Sequence, residues 1–108
     1  MVKLEIIGEY RVLVGQNARE NTELIKQANP DDIWFHFETV SSPHIILETN
    51  GDLLNTVYLN ETASLLFKYK KNVQDNVIYT EVKNVKLTKT PGLVEPKNVR
   101  IINFSKKL

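Results

Sequence analysis

Three side chains spaced two residues apart, Asp32, Trp34 and His36, combine a carboxylate, a flat ring and an imidazole. On a β-strand that spacing puts all three on one side, opposite Ile33, Phe35 and Phe37. An exposed indole can stack a single-stranded base, worth ~1–3 kcal/mol, while imidazole and carboxylate can hydrogen-bond base edges or sugar hydroxyls. The plainer alternative packs the lone tryptophan beneath a helix and satisfies His36 with a backbone carbonyl, and the residue types alone lean that way. Lysines form a second group: Lys68, Lys70 and Lys71 cluster, and Lys83 and Lys86 flank Asn84-Val85. Their ammonium groups could converge on phosphates, giving affinity without sequence choice, although solvated lysines are the ordinary explanation of such runs. His36 and His44, with Asp32 or Glu38 nearby, also admit a metal or acid–base site. That signal is weak, because the chain has no pair of histidines four apart on a helix, no cysteine and no nucleophile elbow. Gly15-Gln16-Asn17 could cradle an anion at a helix start, but one glycine is far from a P-loop, and a turn with a cap is its simple reading. No catalytic residue, metal or cofactor is expected.

The elements that must position these groups follow from periodicity and turn chemistry. Lys3 to Ile7 and Tyr10 to Val14 read as strands joined by Gly8-Glu9, which suits a type II′ turn, and Gly15 breaks the second strand. Asn17 starts a helix as its N-cap, with Glu20 placed to reach back and Leu24, Ile25 and Ala28 as the apolar stripe; Asn29-Pro30 ends it. Ile33 to Glu38 alternates as a strand with Ile33, Phe35 and Phe37 inward. His44 to Thr49 reads as its pairing partner after the Ser41-Ser42-Pro43 turn, closed by Asn50-Gly51-Asp52. A second helix is predicted over Asn60 to Lys71, capped by Asn60, with Ala63, Leu66 and Phe67 inward and Lys68, Lys70 and Lys71 in its last turn. Val77 to Val82 and Val99 to Phe104 are further strands, separated by a lysine-bearing connection with Pro91-Gly92 and Pro96. The expected fold is α+β: a small single domain over residues 1–108, with a mostly antiparallel mixed sheet and two main helices packed against it.

Composition is that of an ordinary globular protein, with 42% hydrophobic and 25% charged residues in 108. With no cysteine, disulfides, thiolate zinc sites and cysteine nucleophiles are excluded. No stretch is long and apolar enough to cross a bilayer and the first turn carries acid, so a cytoplasmic location and no membrane partner are expected. Net charge is only +1, but it is unevenly spread. Up to Phe67 there are 4 basic and 10 acidic residues; from Lys68 onward there are 10 basic and 3 acidic. Screening acts over about 8 Å at physiological salt, so the split predicts one positive and one negative face.

The string Val14-Gly15-Gln16-Asn17-Ala18-Arg19-Glu20-Asn21, then Pro30-Asp31-Asp32-Ile33-Trp34-Phe35-His36 and His44-Ile45-Ile46, resembles the NFACT-R domain family. The similarity continues through Glu61 to Lys71, Val77 to Lys86 and Pro91-Gly92-Leu93-Val94. It departs from the family at Ser42-Pro43, where a Gly-Ser pair is usual, and at Leu87, where a lysine is common. The resemblance implies an RNA-binding module without bond-breaking chemistry, with partners among tRNA, ribosomal RNA and ribosome-bound complexes, in ribosome-associated quality control of translation or in RNA modification. It points to Gly15, Asn17, Arg19 and Asn21, to Asp32, Trp34 and His36, to His44, and to Lys83 and Lys86, and it raises the stacking reading of Trp34 above the packed one. The expectation is therefore RNA binding through the basic later segments, with Trp34, His36 and Arg19 lining a recognition patch. DNA ranks behind RNA as a partner. Two other classes stay open: an adaptor docking on a ribosomal or RNA-modifying protein through its acidic half, and an RNA-processing enzyme centred on His36 and His44.

Overall fold

The computed structural model describes residues 1–104, so Lys106 and Lys107 of the basic later half lie outside the described residues. Its elements are β1 (Lys3–Ile7), β2 (Tyr10–Gly15), α1 (Ala18–Gln27), β3 (Ile33–Phe37), β4 (His44–Leu47) and α2 (Thr56–Tyr69). These are followed by β5 (Val77–Glu81), a 3-10 turn (Val82–Asn84), β6 (Val85–Leu87), β7 (Val94–Pro96) and β8 (Arg100–Ile102). Six strands form one sheet in the order β1-β2-β4-β3-β5-β8, every neighbouring pair antiparallel, and β6 and β7 form a separate hairpin. The α+β architecture expected from the sequence is the one observed.

Both faces of the sheet are covered. Val12, Val14, Phe35, Phe37, Ile45, Leu47 and Val77 pack with Ala63 and Leu66 of α2. On the opposite face Trp34 and Ile46 pack with Leu24 and Ile25 of α1 and with Val82 and Val85. This overturns the one-sided reading of β3. Trp34 lies between Ile46 and Thr80 in the register and is 1% exposed, because α1 and the β6–β7 hairpin close over it.

Helix α1 starts as predicted: the Asn17 side chain accepts from the Glu20 amide, and Glu20 accepts from the Gln16 amide. Helix α2 starts a turn earlier than predicted, capped by Asn55, whose side chain accepts from the Tyr58 amide; Asn60 is an exposed interior position. The stretch Thr56-Val57-Tyr58 is β-branched and aromatic, a poor helix start by propensity. Tertiary packing overrides that preference, since the Tyr58 ring meets Tyr10 edge-on at 5.8 Å and Leu59 packs on the core. The helix also ends earlier, so only Lys68 lies in its last turn, Lys70 being the C-cap and Lys71 following it. The connection after β5 is no simple loop, because β6 and β7 pair there. Three-residue strands are too short to show a period.

The expected separation of charge is not complete. Lys68 binds Glu5 at 2.7 Å and Lys83 faces Asp31 at 3.5 Å, so cations of the later half pair with acids of the earlier half. Lys86 stands opposite Glu95 across the hairpin. The Lys68 ammonium and the Tyr69 hydroxyl hold Glu5 below the usual carboxylate range, and burial together with that hydrogen bond pushes Tyr69 up to about 12. These contacts fasten the end of α2 to edge strand β1.

Candidate nucleic-acid interface

The α1 side of the sheet opens at one end into a groove of about 500 Å³. One wall is the start of α1 (Gln16, Asn17, Ala18, Asn21), the floor is His36 and His44, and the β3–β4 loop from Ser41 to Pro43 forms an edge. Tyr69 and Lys70 close a second side, and the hairpin tip Pro91-Gly92-Leu93 a third.

Each wall has a local cause. Gly15 pairs with His44 across β2 and β4. A Cβ on Gly15 would come within 2.3 Å of Asn21 Oδ1, so the missing side chain is what lets the Asn21 carboxamide sit over the strand. There Asn21 Oδ1 accepts from the His44 amide at 3.1 Å. The hairpin tip reaches α1 through the Gly92 amide, which donates to Thr22 Oγ1 at 2.9 Å. Gly92 has a φ of +80°, and a Cβ there would stand 2.9 Å from Ala18, so both its conformation and its closeness to α1 require glycine. The β3–β4 loop is held by Asp75, whose Oδ2 accepts from the Thr39 amide, the Thr39 hydroxyl and the Val40 amide. Ser42 Oγ accepts from the Phe37 amide and donates to the Pro43 carbonyl.

Burial and hydrogen bonding fix the state of the two imidazoles. Trp34 Nε1–H donates to His44 Nδ1 at 3.2 Å, so in the neutral ring the proton sits on His44 Nε2. His36 Nδ1 lies 2.6 Å from the Phe37 carbonyl, which can only accept, so the proton is on His36 Nδ1 and His36 Nε2 keeps a free lone pair. Burial pushes His44 down to about 3, helped by His36 beside it, and burial also lowers His36. Both rings are uncharged at neutral pH.

This has a measurable consequence for folding. His44 takes up a proton near pH 6.5 in the unfolded chain but only near pH 3 in the folded one, so acid favours unfolding. The stability is complete above pH 6.5 and falls below it by about 1.4 kcal/mol per pH unit until the folded ring titrates. Urea unfolding at pH 5.0 should therefore show about 2 kcal/mol less stability than at pH 7.5 from this ring alone, with His36 acting in the same direction. Equal unfolding free energies at the two pH values would refute the buried, neutral state of His44.

The residues singled out in the sequence divide into two sets. Asn17, Asn21, His36, His44 and Lys70 line the groove, and Gly15 shapes it. Arg19 lies next door, in a cleft with Val2, Glu20 and Glu23. Lys71 is exposed just past the end of α2, and Lys68 points to Glu5. Lys86 is exposed on β6. Asp32 and Lys83 sit at the far end of β3. The Asp32 carboxylate is 1% exposed and accepts from the amides of Asn29, Thr49 and Asn50. Asp32, Trp34 and His36 thus do not form the exposed face expected from their spacing: the first two are interior and only His36 reaches the groove. Sequence reasoning missed Ser41, Tyr69, Leu93 and the supporting Asp75, and named Gln16 only as part of a possible anion cradle with Gly15 and Asn17. Among the described residues, no three His, Asp or Glu side chains are grouped to hold a metal, and no helix is long and apolar enough to cross a membrane.

The profile of the NFACT protein RNA binding domain matches residues 4–97. Coiled-coil domain-containing protein 25 of Bos taurus is 32% identical over 114 aligned positions, covering 92% of this chain and 54% of that protein. The Rqc2 homolog RqcH of Streptococcus pneumoniae serotype 2 is 26% identical over 110 positions, covering 94% of this chain but 20% of that protein. The C-terminal part of the fibronectin/fibrinogen-binding protein from Streptococcus suis shares the fold at a TM-score of 0.80 and 22% identity, over 98% of this chain and 45% of that one. The chain spans about half the length of the coiled-coil relative and a fifth of the RqcH protein.

Proposed function

The chain belongs to the NFACT protein RNA-binding domain family, and from that membership we propose that it binds structured RNA, tRNA or ribosomal RNA, by seating a loop or single-stranded end in the groove between α1, the β3–β4 loop and the β6–β7 tip. The observation that carries this reading is the convergence of Asn17, Asn21, His36, His44 and Lys70, drawn from four separate segments, on one polar concavity. Lys70 within the groove, with Lys71, Lys89 and Arg19 nearby in sequence and exposed, supplies charge for phosphates on either side. Specific contact would come from the amide and imidazole groups in the groove and not from the indole. A role in ribosome-associated quality control of translation belongs to the same proposal, supported by the similarity to the Rqc2 homolog.

Fluorescence anisotropy with labelled tRNA across a salt series tests it. Affinity should fall steeply with salt, each phosphate contact adding about 0.7–0.9 to the log–log slope. Lys70→Glu combined with Lys71→Glu should weaken binding to every RNA by about tenfold or more and flatten that slope. Lys83→Glu, at the far end of β3 and already facing Asp31, should change affinity much less. A salt-independent affinity, or a Lys83 variant as damaging as the Lys70-Lys71 pair, would move the footprint away from the groove.

A further inference from the structure

The two histidines in the groove carry opposite hydrogen-bonding polarity on nitrogens that no other described residue engages. His44 is 2% exposed and lines the groove, its Nδ1 is occupied by the Trp34 indole, and its Nε2–H is left without a protein acceptor. His36 also lines the groove, its Nδ1–H is occupied by the Phe37 carbonyl, and its Nε2 lone pair is left without a protein donor. The ring centroids are 4.9 Å apart and the planes are perpendicular, at 86°. One ring therefore offers a donor and the other an acceptor in the same groove, on nitrogens that are not sealed from solvent, each fixed in its tautomer by a neighbour behind it.

The pair restricts what can satisfy it. A phosphate oxygen accepts only, so it could meet His44 but not His36. A planar base edge presents its donor and acceptor on separate atoms, and a contact made to it would not distinguish ribose from deoxyribose. A hydroxyl donates and accepts through one tetrahedral oxygen whose O–H rotates, so it can meet both nitrogens at once. On the reading of the groove as an RNA site, we propose that His44 and His36 together read a ribose 2′-hydroxyl, which donates to His36 Nε2 and accepts from His44 Nε2–H, and that the groove thereby selects RNA over DNA. Both rings are neutral, so the contact does not depend on charge and persists at high salt. Lys70 in the same groove is placed for a neighbouring phosphate. The 2′-hydroxyl is the group that lets a protein tell the two polymers apart.

The test uses one labelled single-stranded sequence in four sugar forms: ribose, 2′-deoxy, 2′-fluoro and 2′-O-methyl, each titrated with the full chain at fixed salt. The ribose form should bind about tenfold more tightly than the deoxy and fluoro forms, since two modest hydrogen bonds are lost. The O-methyl form should bind no better than the deoxy form, because it cannot donate and is bulkier. His36→Phe should reduce the ribose-to-deoxy affinity ratio toward one. Comparable affinity for ribose and deoxy forms in the unmodified protein would overturn the hydroxyl reading while leaving RNA binding in place. So would a ratio unchanged by His36→Phe. No binding to any form at low salt would overturn both readings.

Discussion

Replacing Asp32 with alanine is expected to lower the free energy of unfolding by about 3–4 kcal/mol, with no change in the RNA affinity of the molecules that remain folded. The carboxylate ties together three chain segments. Its Oδ1 accepts from the Thr49 and Asn50 amides beyond β4, its Oδ2 accepts from the Asn29 amide beyond α1, and its own carbonyl accepts from the Val82 amide beyond β5. Charge-assisted bonds contribute about 1.5–3 kcal/mol each, and alanine leaves the buried Thr49 amide with no acceptor. Water can reach Asn29 and Asn50, which are exposed, so the three losses do not add in full. Asp32→Asn is the informative companion. A carboxamide can keep the two Oδ1 bonds but turns an N–H toward the Asn29 amide, so about half the loss should remain. Chemical denaturation gives the stabilities, and anisotropy below the melting range gives the affinities. A folded Asp32→Ala protein that has lost RNA affinity would return this residue to the interface, from which its burial and its place about 13 Å along β3 from His36 exclude it.

The contrast between Asp32 and His36, two turns of the pleat apart on one strand, shows what was legible in the sequence. Local signals are legible where the physics is local: the Asn17 cap with Glu20, the strand β3, and the antiparallel pairing of β3 with β4 all appear in the structure. The second layer over β3 leaves only a trace in the sequence. His44, Ile45, Ile46 and Leu47 are four consecutive buried residues, and an apolar run without alternation marks a strand covered on both faces. That run sits beside Trp34 in the register and so predicts a covered indole. The rest of the site had no local signal. The hairpin tip reaches α1 through a bond between Gly92 and Thr22, seventy residues apart, and neither three-residue strand of its hairpin shows a period. Charge counts likewise carry the signs of the lysines but not their partners, so nothing in the sequence separates Lys68 and Lys83, each with an acid of its own, from Lys70.

Trp34→Ala should be the most damaging single core substitution on the α1 face, at about 3–5 kcal/mol. Its ring fills the layer between the sheet and α1, among Leu24, Ile25, Ile46, Val82 and Val85, and alanine would leave a void the size of an indole there. Trp34→Phe retains most of the volume and isolates the second role. It removes the Nε1–H that holds the proton on His44 Nε2, so the ring is free to take the other tautomer and the groove loses its fixed donor. The phenylalanine variant should then keep most of its stability and still lose part of its preference for ribose. The chain has one tryptophan, which makes the burial itself directly observable. Its fluorescence should resist quenching by acrylamide in the free protein and respond little when RNA is added, whereas an indole that stacks on a base would be accessible without RNA and shielded or quenched with it. Strong acrylamide quenching of the free protein would mean that the indole is exposed. It would then serve as a base-stacking platform and not as the support that sets the polarity of His44.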